Sequence, residues 1–325
     1  MTSTEHEQQT ALIFNCGASI VELAGPEARM FLHNLCTQDV KNLAEGAGGE
    51  TFLTNAKARV VFHGAVSRVP WQGQDVLWLD TSPGQAERVL QHLNHFLISE
   101  QVELTDRTQE VAMLRLVGPA AATTLTAALG VALPELKPWH NAVVPFQGQN
   151  VVIRHQLCLN LPGYDCLAVP SLIPLLKERL VAAGAVLGGP ETYEVLRVEA
   201  GWPVFGIDMD ENRFVVEVGR NAQAICYTKG CFLGQEPIVM ARDRGQANRM
   251  FLGLLCGDGP ALAAGTKLYQ GEAEVGQVTS SVASPKLRQT IALGYIRRGS
   301  QEPGTKLAVE TASSGRSATV SLLPL

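Results

Sequence analysis

The sequence predicts an α+β protein that ends in a β-barrel, and three observations predict it. At 325 residues the chain exceeds the size at which one hydrophobic core stops growing, so at least two cores are expected. Before about Asn248, short strand patterns alternate with helix patterns, with connections too mixed for a long parallel sheet. After it, short strand-like runs are punctuated by Gly, Pro and Ser, as in a small barrel or sandwich. The expected layout is a flexible tail over 1–10, an α+β region over 11–247 and a barrel domain over 248–325.

The elements follow from local pattern. Gly25-Pro26-Glu27 opens a helix whose Ala28, Phe31, Leu32 and Leu35 share one face, with Pro26 suited to its first position. Val60 to Val69 and Val76 to Asp80, separated by Trp71-Gln72-Gly73-Gln74, read as a hairpin. Ser82-Pro83 starts a helix that turns Val89 and Leu93 inward and leaves His92 and His95 on one turn. With no carboxylate or thiol at ligand spacing, these two histidines read as solvent-facing rather than metal-binding. Val111 to Val117 and Val151 to Leu159 read as strands, and Pro119 to Leu129 as a helix closed by Gly130. Helices over Leu172 to Ala183 and Pro190 to Ala200 stop at Gly184 and Gly201, where glycine suits a left-handed cap. The barrel strands are Met250 to Cys256, Lys267 to Tyr269, Glu274 to Ser281, Thr290 to Ile296, Lys306 to Glu310 and Ala318 to Leu322.

Composition narrows the function classes. Apolar runs such as Ile291 to Leu293 fall far short of a membrane span, and the polar start lacks the pattern of a secretory signal. The seven cysteines contain no C-x-x-C pair, which argues against a disulfide framework and a four-thiolate zinc site; a reducing, cytoplasmic setting is expected. A net charge of -5 disfavours a broad grip on nucleic acid. Arg242, Arg244 and Arg249 form the best local basic cluster, although a solvated loop is the commoner meaning of such a group.

The chemistry concentrates in Lys229 to Glu236, K-G-C-F-L-G-Q-E. Its glycines permit positive φ or close approach to a ligand, and the ammonium of Lys229 beside Cys231 favours a thiolate, as would a helix starting at Pro237. The plain alternative is a small buried hydrophobe, the usual fate of a free cysteine. The charged and glycine-rich flanks favour a reactive or ligand-contacting thiol, whereas Cys158 and Cys256 sit in apolar, structural settings.

This stretch resembles the K-G-C-[YF]-x-G-Q-E signature of YgfZ-type proteins, paralogues of the glycine-cleavage T-protein. Arg244-Gly245 and Asn248-Arg249 resemble its continuation, and Leu196 to Gly201, L-R-V-E-A-G, resembles the R-x-E-x-G segment shared with the T-protein. Gly25 to Val40, Gly163-Tyr164-Asp165, Val275 to Ser280 and Ile291 to Ile296 resemble further elements of that family in the same order.

The resemblance implies a ring of ferredoxin-like modules around a folate channel, with a C-terminal β-barrel. It implies tetrahydrofolate, or a one-carbon derivative, as ligand, with Glu199 accepting N–H donors from the pterin; the bare alternative is a solvated residue or a partner of Arg197. Tyr193 and Trp202 are the aromatic candidates, though Tyr193 can equally pack into the core, and Lys229, Gly230 and Arg244 are expected around the folate. In the stretch Asn55 to Val66, Phe62 and His63 occupy the place of the family's catalytic aspartate. That argues against aminomethyl transfer, unless His63 serves as the base. Two further departures are Met240, where an arginine is usual and Arg242 lies two residues on, and Ala58 in place of a glycine. The expected function is a tetrahydrofolate-binding accessory factor in iron-sulfur cluster assembly or maintenance, indirectly supporting tRNA modification, with Cys231 as its functional thiol. Iron-sulfur assembly or client proteins are its expected partners. The alternative is a folate-dependent one-carbon transferase.

Overall fold

The computed structural model describes residues 10–245, 247–310 and 315–325; of the expected tail only Thr10 is among them. The chain opens with strands β1 (Ala11–Cys16) and β2 (Ser19–Ala24), helix α1 (Ala28–Leu35), and strands β3 (Gly48–Thr54), β4 (Val60–Trp71) and β5 (Gln74–Thr81). Helix α2 (Ala86–Phe96), β6 (Glu103–Asp106), β7 (Ala112–Val117), α3 (Ala121–Leu129), β8 (Asn141–Phe146), β9 (Gln149–His155) and β10 (Gly163–Ala168) follow. Next come α4 (Ile173–Ala182), β11 (Ala185–Leu187), α5 (Pro190–Ala200), the short α6 (Asn221–Ala224) and α7 (Gln235–Arg244). Strands β12 (Arg249–Leu255), β13 (Lys267–Gln270), β14 (Ala273–Ser284), β15 (Gln289–Arg297), β16 (Lys306–Val309) and β17 (Ser317–Ser321) close the chain.

These strands form two open sheets and a barrel. One sheet has the order β11-β1-β7-β10-β9-β8, the other β3-β4-β5-β2-β6, and the six C-terminal strands close in the order β12-β15-β14-β13-β16-β17. This is the expected α+β architecture with a C-terminal barrel.

Strand alternation explains how the two sheets meet, because successive side chains point to opposite faces. In β5, Leu77 and Leu79 pack under α1 and α2, while Val76 and Trp78 face the other sheet. In β7, β9 and β10, Leu114, Ile153 and Cys166 lie beneath α3 and α4, while Met113, Val152 and Leu167 face inward. The space between the sheets is thus apolar at Trp71, Trp78, Met113 and Val152. Farther along the same strand faces, His63, Asp80, Arg115, Arg154 and Asp165 succeed those residues, and all five are buried.

Several boundaries differ from expectation. Helix α1 begins at Ala28, after Glu27, so Pro26 lies in the turn before it and not at its first position. Helix α2 begins at Ala86 because Pro83 and Gly84 form a turn. Strand β9 stops at His155 rather than Leu159, where the Gln156 side chain accepts the backbone N–H of Cys158 at 2.7 Å and bends the chain. Helix α7 begins at Gln235, capped by Gly234, so Pro237 lies inside its first turn and not at its start.

Helix α5 joins the sheets to the barrel. It ends at Gly201, φ 68°, where a Cβ would stand 2.7 Å from Leu323, and the N–H of Leu325 donates to the carbonyl of Glu199 at 2.7 Å. The C-terminal segment is thereby pinned against the helix.

Candidate functional site

A cavity of about 500 Å³ opens between the two sheets and the N-terminal end of α5, within the size range of small-molecule sites. Strand β4 contributes His63 to its wall, β5 contributes Asp80, β7 contributes Arg115, and α5 contributes Tyr193, Glu194 and Arg197. Trp202, just past α5, adds an aromatic face.

His63 is locked from behind. It pairs across the hairpin with Phe52, which places Glu50 diagonally beside it on the same sheet face. The imidazole Nε2 lies 2.8 Å from Glu50 Oε1, and Arg220 donates to both carboxylate oxygens at 2.8 and 2.5 Å. Glu50 is fully buried. Burial alone would raise its carboxyl, but hydrogen bonds from Arg220 and His63 outweigh that and hold it below the usual carboxylate range. The His63 ring also packs on Phe52 and Trp202, at centroid distances of 4.7 and 5.1 Å, and the Arg220 guanidinium lies 5.0 Å from the Trp202 ring.

The opposite wall is a buried ionic chain. Arg115 donates to both oxygens of Asp165, Arg154 bridges Asp165 and Asp80, and Arg115 Nη1 donates to the Tyr193 hydroxyl at 2.7 Å. Two guanidiniums balance two carboxylates, which is how buried charge is tolerated. Burial would raise Asp165, but Arg115 and Arg154 hold it below the ordinary range. Burial pushes the Tyr193 phenol up, against the opposing pull of Arg115. Cys16 and Cys158 also reach the cavity, and burial pushes Cys158 up to about 12, so its thiol stays protonated at neutral pH.

The structure brings His63, Tyr193 and Trp202 together and separates the other expected residues from them. Glu199 does not line the cavity. At 3.6 residues per turn it points away from Tyr193, Glu194 and Arg197, and its Oε1 accepts the Ser284 hydroxyl of the barrel at 2.5 Å. The α5 carboxylate at the cavity is instead Glu194, ion-paired with Arg197. Arg197 extends that brace, donating to Asp208 at 2.7 Å, to Ser280 of the barrel at 2.7 Å and to the Trp202 carbonyl at 2.8 Å.

Lys229, Gly230 and Cys231 also lie off the cavity wall. Lys229 is buried, and its ammonium donates to the carbonyls of His33, Cys36 and Gln38, capping the C-terminal end of α1. Burial lowers its pKa. Gly230 has a negative φ and open space around its Cα, so nothing there requires glycine; in this motif Gly234, φ 80°, is the position that does, with Thr54 2.6 Å from where a Cβ would stand. Cys231 is exposed, and Arg244 is exposed at the end of α7.

Sequence reasoning passed over Glu50, Asp80, Arg115, Arg154 and Glu194 as site residues, and met Asp165 only as part of the Gly163-Tyr164-Asp165 resemblance. Charges at alternate strand positions otherwise facing a core, such as Asp80 after Val76 and Trp78, carried a signal for some of them.

The GCVT N-terminal domain matches residues 18–223, and the glycine cleavage T-protein C-terminal barrel domain matches 249–325. The chain belongs to the glycine cleavage T-protein family. An aminomethyltransferase of Rubrobacter xylanophilus is 28% identical over 85% of this chain and 73% of its own length. One from Thermosynechococcus vestitus is 33% identical over 64% of this chain and 57% of its own. The glycine cleavage system aminomethyltransferase T of Bartonella henselae superposes with a TM-score of 0.85, covering 98% of this chain and 87% of that one at 21% identity, which shows the shared fold. Within this T-protein-family chain the N-terminal match takes in β2 to β11 and α1 to α5, and with them most of the cavity wall. Among the described residues no helix is long and apolar enough to cross a membrane.

Proposed function

We propose that the cavity binds a reduced folate and that the chain acts, as a YgfZ-type protein, as a cytoplasmic accessory factor in iron-sulfur cluster assembly or maintenance, indirectly supporting tRNA modification. The observation that carries the ligand is the wall itself. Trp202 offers an aromatic face, and the carboxylates of Asp80 and Glu194 keep lone pairs beyond those engaged by Arg154 and Arg197 to accept pterin N–H donors. The residues therefore fit a tetrahydrofolate, which when bound supplies nitrogens that carry a one-carbon unit.

The accessory role is supported by the motif loop, where Cys231 is exposed on a stretch that Lys229 anchors to α1. A single thiol cannot hold a cluster, so contact with iron or a cluster would use ligands from an assembly or client protein. No membrane or direct nucleic-acid contact belongs to this role.

A one-carbon transferase is the second reading, favoured by the relatives, which are named aminomethyltransferases. Calorimetry of the full chain with tetrahydrofolate tests the ligand; no heat of binding removes the proposal. Complementation then separates the roles. Cys231→Ala is expected to retain folate binding and fail to restore iron-sulfur enzymes, whereas tetrahydrofolate-dependent turnover of an aminomethylated carrier would establish the transferase.

A further inference from the structure

We infer that Nδ1 of His63 is the proton-accepting atom of the cavity, with Glu50 and Arg220 as its positioning residues, and that it takes an N–H or O–H from a bound reduced pterin. This rests on the folate reading above and adds the polarity of one wall atom. The direction of the Glu50 contact decides it. Glu50, fully buried and gripped twice by Arg220, is an ionised carboxylate that can only accept hydrogen bonds, so the 2.8 Å contact requires the hydrogen on His63 Nε2. In the neutral ring Nδ1 then keeps its lone pair. No group among the described residues donates to Nδ1, and the side chain lines the cavity beside Trp202.

Packing fixes the ring as well. Phe52 and Trp202 contact it at 4.7 and 5.1 Å, so the imidazole cannot turn Nδ1 away without disturbing both. If a proton transfers, the ligand's X–H bond breaks, its electron pair stays on X, and an Nδ1–H bond forms. The resulting imidazolium is stabilised by Glu50, and the reverse step returns the proton. This is the logic of a base oriented by a buried carboxylate.

The test is nitrogen NMR of the full chain labelled with ¹⁵N-histidine, with His63 assigned from a His63→Gln difference spectrum and 5-formyltetrahydrofolate as probe. The free protein is expected to show the Nε2–H tautomer, and the probe to shift Nδ1. A Glu50→Gln variant is expected to give mixed tautomers, because an amide can donate as well as accept. An Nδ1–H tautomer in the free protein, or an unmoved Nδ1 while tryptophan fluorescence reports probe binding, overturns the inference alone. A tautomer unchanged in Glu50→Gln overturns the positioning role. Absence of probe binding overturns the folate reading and this inference together.

Discussion

The cavity wall and the Lys229 to Glu236 loop use charge in opposite ways. On the wall, Arg154, Arg115 and Arg220 neutralise Asp80, Asp165 and Glu50 side chain to side chain, which leaves Asp80 and His63 facing open space. In the loop, Lys229 gives its ammonium to three backbone carbonyls and leaves its neighbour Cys231 exposed. One region builds a chamber, and the other clamps a helix end while presenting a thiol to solvent. A motif rich in chemistry can therefore be mainly a fastener, and the ligand-facing groups can lie on strands that carry no motif.

The comparison breaks most directly at Arg154. Replacing it by Met leaves Asp80 without its partner and Asp165 with one of two, and unfolding in urea should show a loss of about 3–5 kcal/mol. Acid should attack the same network. Asp165 is held below its ordinary value in the fold, so its stabilisation is present above the unfolded pKa, about 3.9, and is lost as pH falls below it. Asp165→Asn should be less stable at neutral pH and should decline less steeply in acid.

In the loop, Lys229→Met takes the ammonium from the carbonyls of His33 and Cys36 at the end of α1, while the Gln38 carbonyl keeps the N–H of Val40, and a loss of about 2 kcal/mol is expected from the same urea titration. Trp202→Ala should weaken tetrahydrofolate binding about tenfold by calorimetry, the scale of one aromatic contact. The smallest effect is expected at Cys231→Ser, with the urea midpoint and the folate affinity unchanged. Iodoacetamide should label Cys231 in the native protein, whereas the buried Cys158 and Cys166 should react only on unfolding.

Much of the fold was legible because period and punctuation are local. The Ala28, Phe31, Leu32 and Leu35 face, the Val60 hairpin and the left-handed glycine caps at Gly130 and Gly201 all formed where their spacing placed them. The site was legible only in part. Tyr193, Trp202 and His63 were picked out singly, but Glu50 is 13 residues from His63 and meets it through strand register, and Arg220 arrives from 170 residues beyond Glu50.

The sequence by itself determined the α+β body, the C-terminal barrel and, at its broad level, the glycine cleavage T-protein family, since these rest on patterns read within a few tens of residues. Only the tertiary structure decided which charges face the cavity. It turned Glu199 toward the barrel and Glu194 toward the open space, and it spent Lys229 on α1. Those outcomes depend on which face of a helix or strand meets which neighbour, and that is settled by packing between segments far apart in the chain.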